Sequence, residues 1–364
     1  MVVGAGGNPS FLVSGYAEAR QALADPRLSK DTAAFFADKA SKRRLHPAVA
    51  HTMLACDPPQ HTRLRALVTK AFTTGPVAKL QGFIARTADA LLDKWPADGE
   101  IDAIAELAVP LPVIVICELL GVPEAERAQV RLWSADLFAD GRPDRIDAAS
   151  HDLAGYMADL IARRRQHPGD ALLDRLIHAR DGDDQLTEAE LVSLACLLLV
   201  AGHETTANFI GTALLTLLRH PAELTRLRAH PGDIPAVLDE LLRYDSPVST
   251  ATFRYATQPL TLGGTHIPAG APVQVAIGDA NRDPARFPEP QNLEAGRDAA
   301  GHLAFGHGIH RCLGAPLAKA EAGIALSAVL TRFPHLRLAV RPDELVWRRT
   351  RLVHGLAALP VLPR

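Results

Sequence analysis

The chain has 364 residues, 48% hydrophobic and 22% charged, an ordinary globular composition with ample material for a large core. A net charge of −2 lacks the basic excess that phosphate binding needs, so nucleic acid is not expected as a partner. Cys56, Cys117, Cys196 and Cys312 stand far apart without a Cys-x-x-Cys pair, which argues against a disulfide framework or a structural zinc. The opening residues Met1 to Gly7 have no basic n-region. The longest apolar run, Leu194 to Gly202, is about half a membrane span. A cytoplasmic protein without a membrane partner is expected.

Ser10 to Ser14 reads as a short strand. Helical patterns then dominate from about Gly15 to Tyr244. Ile84, Ala88, Leu91 and Leu92 recur at helical spacing in one segment, and Leu153, Met157, Leu160 and Ile161 in another. Pro110, Pro112, Pro123, Pro168, Pro221 and Pro231 punctuate them. No internal repeat, low-complexity linker or break in composition divides the chain, so residues 1–364 are expected to form one domain.

Thr187-Glu188-Ala189-Glu190 is a capping box opening a helical run that lasts to about Arg219, before His220-Pro221. Such a helix is roughly 50 Å long and, being so apolar, must cross the middle of the molecule. Its centre, Ala201-Gly202-His203-Glu204-Thr205-Thr206, breaks the apolar pattern. Burying glycine, an acid and two hydroxyls inside a helix costs stability. A solvent-facing stripe is one reading. A zinc helix His-Glu-x-x-His is another, but Ala207 stands where the second ligand belongs. An active-site distortion is the third.

Further on, Glu240 and Arg243 are spaced i, i+3 on a helix and can pair. Phe253 to Ala256, Leu260 to Leu262 and Val273 to Ile277 read as short strands around the turns Gly263-Gly264 and Pro268-Ala269-Gly270. The tail from Leu336 to Pro363 alternates weakly and is expected to add strands. Between them lies Phe305-Gly306-His307-Gly308-Ile309-His310-Arg311-Cys312-Leu313-Gly314, a glycine-punctuated loop with a single cysteine. A helix opens just after it, with Pro316 in the first turn. Unpaired amides and the positive end of a helix dipole favour a thiolate there. The glycines let such a loop lie flat against a large planar partner, which suits a haem iron. The competing reading is a loop around a buried structural cysteine.

These ten residues resemble the haem-ligand signature of the cytochrome P450 family, Phe-Gly-x-Gly-x-His-x-Cys-x-Gly, at every fixed position. The resemblance implies a mostly α fold with small β-sheets, in which haem b sits between a long central helix and the cysteine loop. Cys312 would be the axial ligand, with Phe305, Gly306, His310 and Gly314 around it. The helix centre resembles the family's Ala-Gly-x-(Asp/Glu)-Thr-Thr, which makes Glu204 and Thr205 the acid–alcohol pair that manages protons and places Ala201 over the distal haem face. Glu240 and Arg243 match the family's buried Glu-x-x-Arg. Arg297, in Leu293-Glu294-Ala295-Gly296-Arg297, is the third member, where the family often has Phe-Asp-x-x-Arg. Asp57-Pro58-Pro59-Gln60-His61-Thr62-Arg63-Leu64-Arg65 and Phe253-Arg254-Tyr255-Ala256 resemble segments that supply propionate contacts. His61, Arg65, Arg254 and His310 are therefore expected to hold the two carboxylates. Phe11 to Arg20 resembles the first strand and helix, but family members carry several tens of residues before it and this chain has ten.

The implied reaction inserts one oxygen atom from O2 into a small hydrophobic substrate, by hydroxylation or epoxidation. A macrolide, terpenoid or peptide-derived secondary metabolite fits the mostly small or apolar segments expected to contact it, Thr32 to Leu54, Trp133 to Ile146, Leu197, Leu198 and Val248 to Thr252. The chain has no flavin or iron–sulfur motif, so electrons from NAD(P)H are expected through ferredoxin and ferredoxin reductase, docking near Arg311, Arg63 and Lys70. Oxidative coupling, a peroxygenase, and a catalytically silent haem sensor or accessory protein are the alternatives, and the intact Glu204-Thr205 pair argues against the last two.

Overall fold

Helices form where apolar residues recur at helical spacing, and strands are confined to short pieces. The computed structural model describes residues 2–3, 9–37, 43–73, 76–137, 142–181, 184–348, 350 and 352–364. Its internal contacts group into two units. One comprises Met1–Leu28, Gln81–Pro112 and Glu204–Arg364, the other Ser29–Leu80 and Val113–His203.

The first unit holds most of the β-structure. The strand Pro9–Val13 runs parallel to Pro272–Val275, with Phe11 opposite Val273 and Val13 opposite Val275. Pro272–Val275 pairs on its other side with the antiparallel strand Arg254–Ala256. Alternation turns Arg254 and Ala256 inward and leaves Tyr255 half-buried between them. Val13, Ala22, Leu23, Leu260, Ile267, Val273, Val275 and Leu303 fill the core beneath. The strand expected over Val273 to Ile277 stops at Val275, because the chain turns into a short helix, Ile277–Ala280. The tail adds its strands as expected: Pro360–Leu362 pairs with both Arg337–Leu338 and Ile101–Asp102. The helices Ile234–Tyr244 and Ala315–Arg332 pack closely at Gly323, where an added Cβ would lie 3.4 Å from Leu238 Cδ1.

The second unit is helical. Its helices include Gln60–Thr73, Arg127–Leu137 and Pro143–Gln166. Pro143 starts the last of these, and Asp144 in its first turn and Arg163, Arg164 and Arg165 in its last complement the helix dipole at both ends. Leu153, Met157, Leu160 and Ile161 form its buried stripe.

The helix Glu188–Leu218 is 31 residues long and belongs to the second unit up to His203 and to the first from Glu204. The capping box is present: the Thr187 amide donates to Glu190 Oε2 at 2.9 Å, and the Glu190 amide to Thr187 Oγ1 at 3.3 Å. Among the described residues it alone is long and apolar enough to cross a membrane, and most of that stretch is buried inside the protein.

Candidate functional site

The cysteine loop is built on glycine conformations. Gly306 and Gly308 have φ of +71° and +75°, where a side chain would be strained. A Cβ at Gly308 would also stand 2.9 Å from the Leu23 carbonyl oxygen, so the loop presses against the end of the helix Tyr16–Ala24. Backbone bonds close the loop: Gly306 N donates to the Leu303 carbonyl at 2.8 Å, Arg311 N to Gly308 at 3.1 Å and Cys312 N to Phe305 at 2.9 Å. Cys312 is presented at the surface of this frame. The helix Ala315–Arg332 starts just beyond, with Gly314 at its N-cap and no side chain capping it. The other cysteines differ. Burial pushes the Cys117 and Cys196 thiols up to about 12 and the Cys56 thiol up to about 11, so all three stay protonated at neutral pH.

Further expected site residues belong to the same unit. Arg254 is buried and donates from Nη1 to the Thr252 carbonyl at 2.9 Å, while His310 is half-buried. The Glu240–Arg243 pair is completely enclosed, with side chains 1% and 0% exposed. Arg243 donates to both carboxylate oxygens, at 2.6 and 2.8 Å, and to the carbonyls of Asn281, Pro290 and Asn292. Arg297 reaches Glu240 Oε1 at 3.3 Å and the Pro288 carbonyl at 2.6 Å. The three residues thereby tie the helix Ile234–Tyr244 to the irregular segment ahead of the cysteine loop. Next to Glu240, Asp239 accepts from His302 Nε2 at 3.1 Å and from Lys319 Nζ at 2.6 Å. The His302 hydrogen bond, aided by Lys319, holds the Asp239 carboxyl down at about 2. Sequence reasoning missed this clamp, whose members carry no local pattern.

In the centre of the long helix, Leu197, Leu198, Ala201, Gly202 and Thr205 are accessible, while their neighbours Leu199, His203, Glu204 and Thr206 are buried. The spacing i, i+4, i+8 puts the accessible residues on one face. Gly202 allows a close approach, since an added Cβ would lie 2.9 Å from Ile116 Cδ1. His203 is buried, with Nδ1 at the Leu199 carbonyl (2.9 Å) and Nε2 at Ser134 Oγ (3.3 Å). It is thus committed to its own helix and to the helix Arg127–Leu137. Glu204 forms an ion pair with Arg348, a residue of the C-terminal tail that sequence reasoning did not single out.

In the second unit, His61 and Arg65 lie one turn apart on the helix Gln60–Thr73. His61 is 2% exposed, and its pKa is lowered first by burial and then by the nearby charges of Arg65 and Lys30. Lys30 is itself buried, and its amide donates to Asp57 Oδ1 at 3.1 Å. Lys30 therefore joins His61 and Arg65 in a basic cluster, another member the sequence reading lacked. Arg63 is different: it pairs with Asp184 and Glu190, so two carboxylates already occupy a cation expected to greet a redox partner. The side chain of Lys70, residues 38–42 of the expected substrate segment Thr32 to Leu54, and residues 138–141 of Trp133 to Ile146 lie outside the described residues.

The donor set fits an iron porphyrin with two carboxylates. It offers an exposed thiol at Cys312, a loop whose Gly308 leaves no room for a side chain, and buried basic side chains.

Comparison with known proteins agrees. The family model described as Cytochrome P450 matches residues 133–230 and 234–349. Cytochrome P450 107B1 of Saccharopolyspora erythraea is 44% identical over 364 residues, covering 98% of this chain and 90% of that protein. Cytochrome P450 monooxygenase PikC of Streptomyces venezuelae is 45% identical over 358 residues, covering 98% and 85%. The structure of the tirandamycin C-bound P450 monooxygenase TamI superposes with a TM-score of 0.91 at 46% identity, covering 100% of this chain and 92% of that one. With a family signature, near-complete coverage and a shared fold in agreement, the chain belongs to the cytochrome P450 family and is a haem-dependent monooxygenase.

Proposed function

We propose that Cys312 ligates the haem iron and that residues 1–364 work as one P450 domain on a hydrophobic secondary metabolite in the cytoplasm. The observation that carries this reading is the Cys312 loop: an accessible cysteine on a glycine frame, just ahead of a helix N-terminus without a side-chain cap. His61, Arg65, Arg254 and His310, with Lys30 added, hold the propionates, and Ala201, Phe305, Gly306 and Gly314 provide surface for the ring. When bound, haem with a thiolate ligand supplies activation of O2 and oxygen insertion into C–H or C=C bonds.

The chain's own residues do the rest. Thr205, on the accessible face of the long helix, offers a hydroxyl that donates and accepts in turn. Glu204, buried one position before it, carries protons between solvent and that hydroxyl. Glu240, Arg243 and Arg297 have a structural role, holding the segment that leads into the cysteine loop. The substrate class is supported by the small or apolar residues Leu197, Leu198 and Val248 to Thr252, and by kinship with a monooxygenase whose structure holds tirandamycin C. The P450 reaction uses O2, a small organic substrate and a redox partner, and we assign ferredoxin and an NAD(P)H-dependent ferredoxin reductase to that last role.

The test of the ligand is spectroscopic. Reduced protein under carbon monoxide should show the strongly red-shifted band of a thiolate-ligated haem. Cys312→His should lose it while still binding haem. A Cys312→His protein that kept the band would remove the assignment.

A further inference from the structure

In the C-terminal tail, Trp347 and Arg348 pair antiparallel with Gly355 and Leu356. Trp347 bridges to Leu356, and Arg348 N donates to the Gly355 carbonyl at 2.9 Å. The outer edge of this pair is pinned: Ser249 N donates to Leu352 at 3.0 Å and His354 N to Pro247 at 2.9 Å. The Trp347 ring stacks on His354 with centroids 4.2 Å apart, and His354 Nε2 lies 3.0 Å from Asp245 Oδ1. This platform meets the long helix at two points one turn apart. Gly355 packs so tightly on Asn208 that any Cβ there would overlap the Asn208 side chain. Directly across the pair, Arg348 Nη1 donates to Glu204 Oε1.

We propose that Arg348 is the positioning residue for Glu204 in proton delivery, a role that rests on the reading of Glu204 as the relay acid. A buried carboxylate in mid-helix needs a compensating cation, and without one it neutralises or swings away. Arg348 supplies that cation from a fixed platform, so the carboxylate is held in a single orientation. The contact takes Oε1, and Oε2 is the oxygen that accepts a proton arriving from bulk solvent. Oε2 then passes that proton inward, and the carboxylate is regenerated. The arrangement also explains why Gly355 must lack a side chain. A larger residue would lift the platform from Asn208 and draw Arg348 from Glu204.

The experiment uses haem-loaded Arg348→Ala, Arg348→Lys and Glu204→Gln proteins with a substrate that gives a spin shift and a saturating redox partner. Arg348→Ala should lower kcat by about 10-fold to 100-fold, the scale of a misplaced catalytic group. The substrate Kd from the spin shift should stay unchanged, the solvent deuterium isotope effect should rise, and Arg348→Lys should recover most of the loss. Independently of turnover, unfolding of Arg348→Ala, Glu204→Gln and the double variant should be strongly non-additive, because one contact is removed in all three. Additive unfolding losses, or a kcat in Arg348→Ala equal to that of the parent while Glu204→Gln is slow, would overturn the role of Arg348 alone. Parental turnover in Glu204→Gln would overturn the relay reading, and this proposal with it.

Discussion

Gly308 shows how much one backbone position constrains. Its φ of +75° and its 2.9 Å approach to the Leu23 carbonyl leave room for hydrogen only, so the loop carrying Cys312 is fixed by what its glycine lacks. On the proposed reading Thr205 has the opposite importance, since there its hydroxyl is the group that matters. On the proposed roles, Thr205→Ala keeps the spin shift on substrate binding and keeps consuming NAD(P)H, but product per NAD(P)H falls sharply and hydrogen peroxide rises. Glu204→Gln instead slows turnover, by roughly 10²–10⁴-fold if the acid carries the full general-acid contribution. Product and peroxide measured per electron pair separate the two. Unchanged coupling in Thr205→Ala would mean that protons travel by another route.

At the scale of elements, the helix Ile234–Tyr244 carries two adjacent carboxylates with separate duties. Glu240 is sealed between Arg243 and Arg297. Removing it strands buried guanidinium charge at a cost on the order of 3–5 kcal/mol. Glu240→Ala is therefore expected to yield little soluble, haem-loaded protein, and normal yield and haem content would contradict the buried-pair argument. Asp239, half-exposed, fastens the helix to His302 and Lys319. Its pKa of about 2 lies below the ordinary 3.8, so the folded state favours the ionised form. That contribution is complete above about pH 4 and is lost as pH falls through about 2. The melting temperature of the parent should exceed that of Asp239→Asn above pH 4, and the gap should close as pH falls toward 2. A gap independent of pH in this window would show that the carboxylate charge contributes nothing there.

Across the whole chain, local signals were readable and long-range side-chain partnerships were not. The box at Thr187 and Glu190, the stripe Leu153-Met157-Leu160-Ile161 and the Cys312 loop each lie within a few residues of one another, so spacing alone exposes them. Arg348 meets Glu204 across 144 residues, and His302 meets Asp239 across 63, with no pattern to announce either. No local pattern marks Lys30, which the fold buries near His61. Arg63 looked available until Asp184 and Glu190 closed on it. On the proposed roles, haem retention should depend on each of the basic side chains assigned to the propionates. Arg65→Ala and Arg254→Ala are expected to load less haem and lose it faster to a scavenging apoprotein, while the loaded fraction keeps its thiolate spectrum. If both retain haem like the parent, the propionate assignment fails.

The contrast between Cys312 and the other three cysteines has a practical consequence. Alkylating reagents attack thiolates, and Cys56, Cys117 and Cys196 are held as thiols far above neutral pH. Cys312 is the one exposed cysteine of the four. Brief treatment of haem-free protein with iodoacetamide should therefore add one label, at Cys312, and intact mass would count it. Haem bound through that sulfur would block the label, so the unlabelled fraction of a preparation would measure its haem occupancy without any absorbance reading.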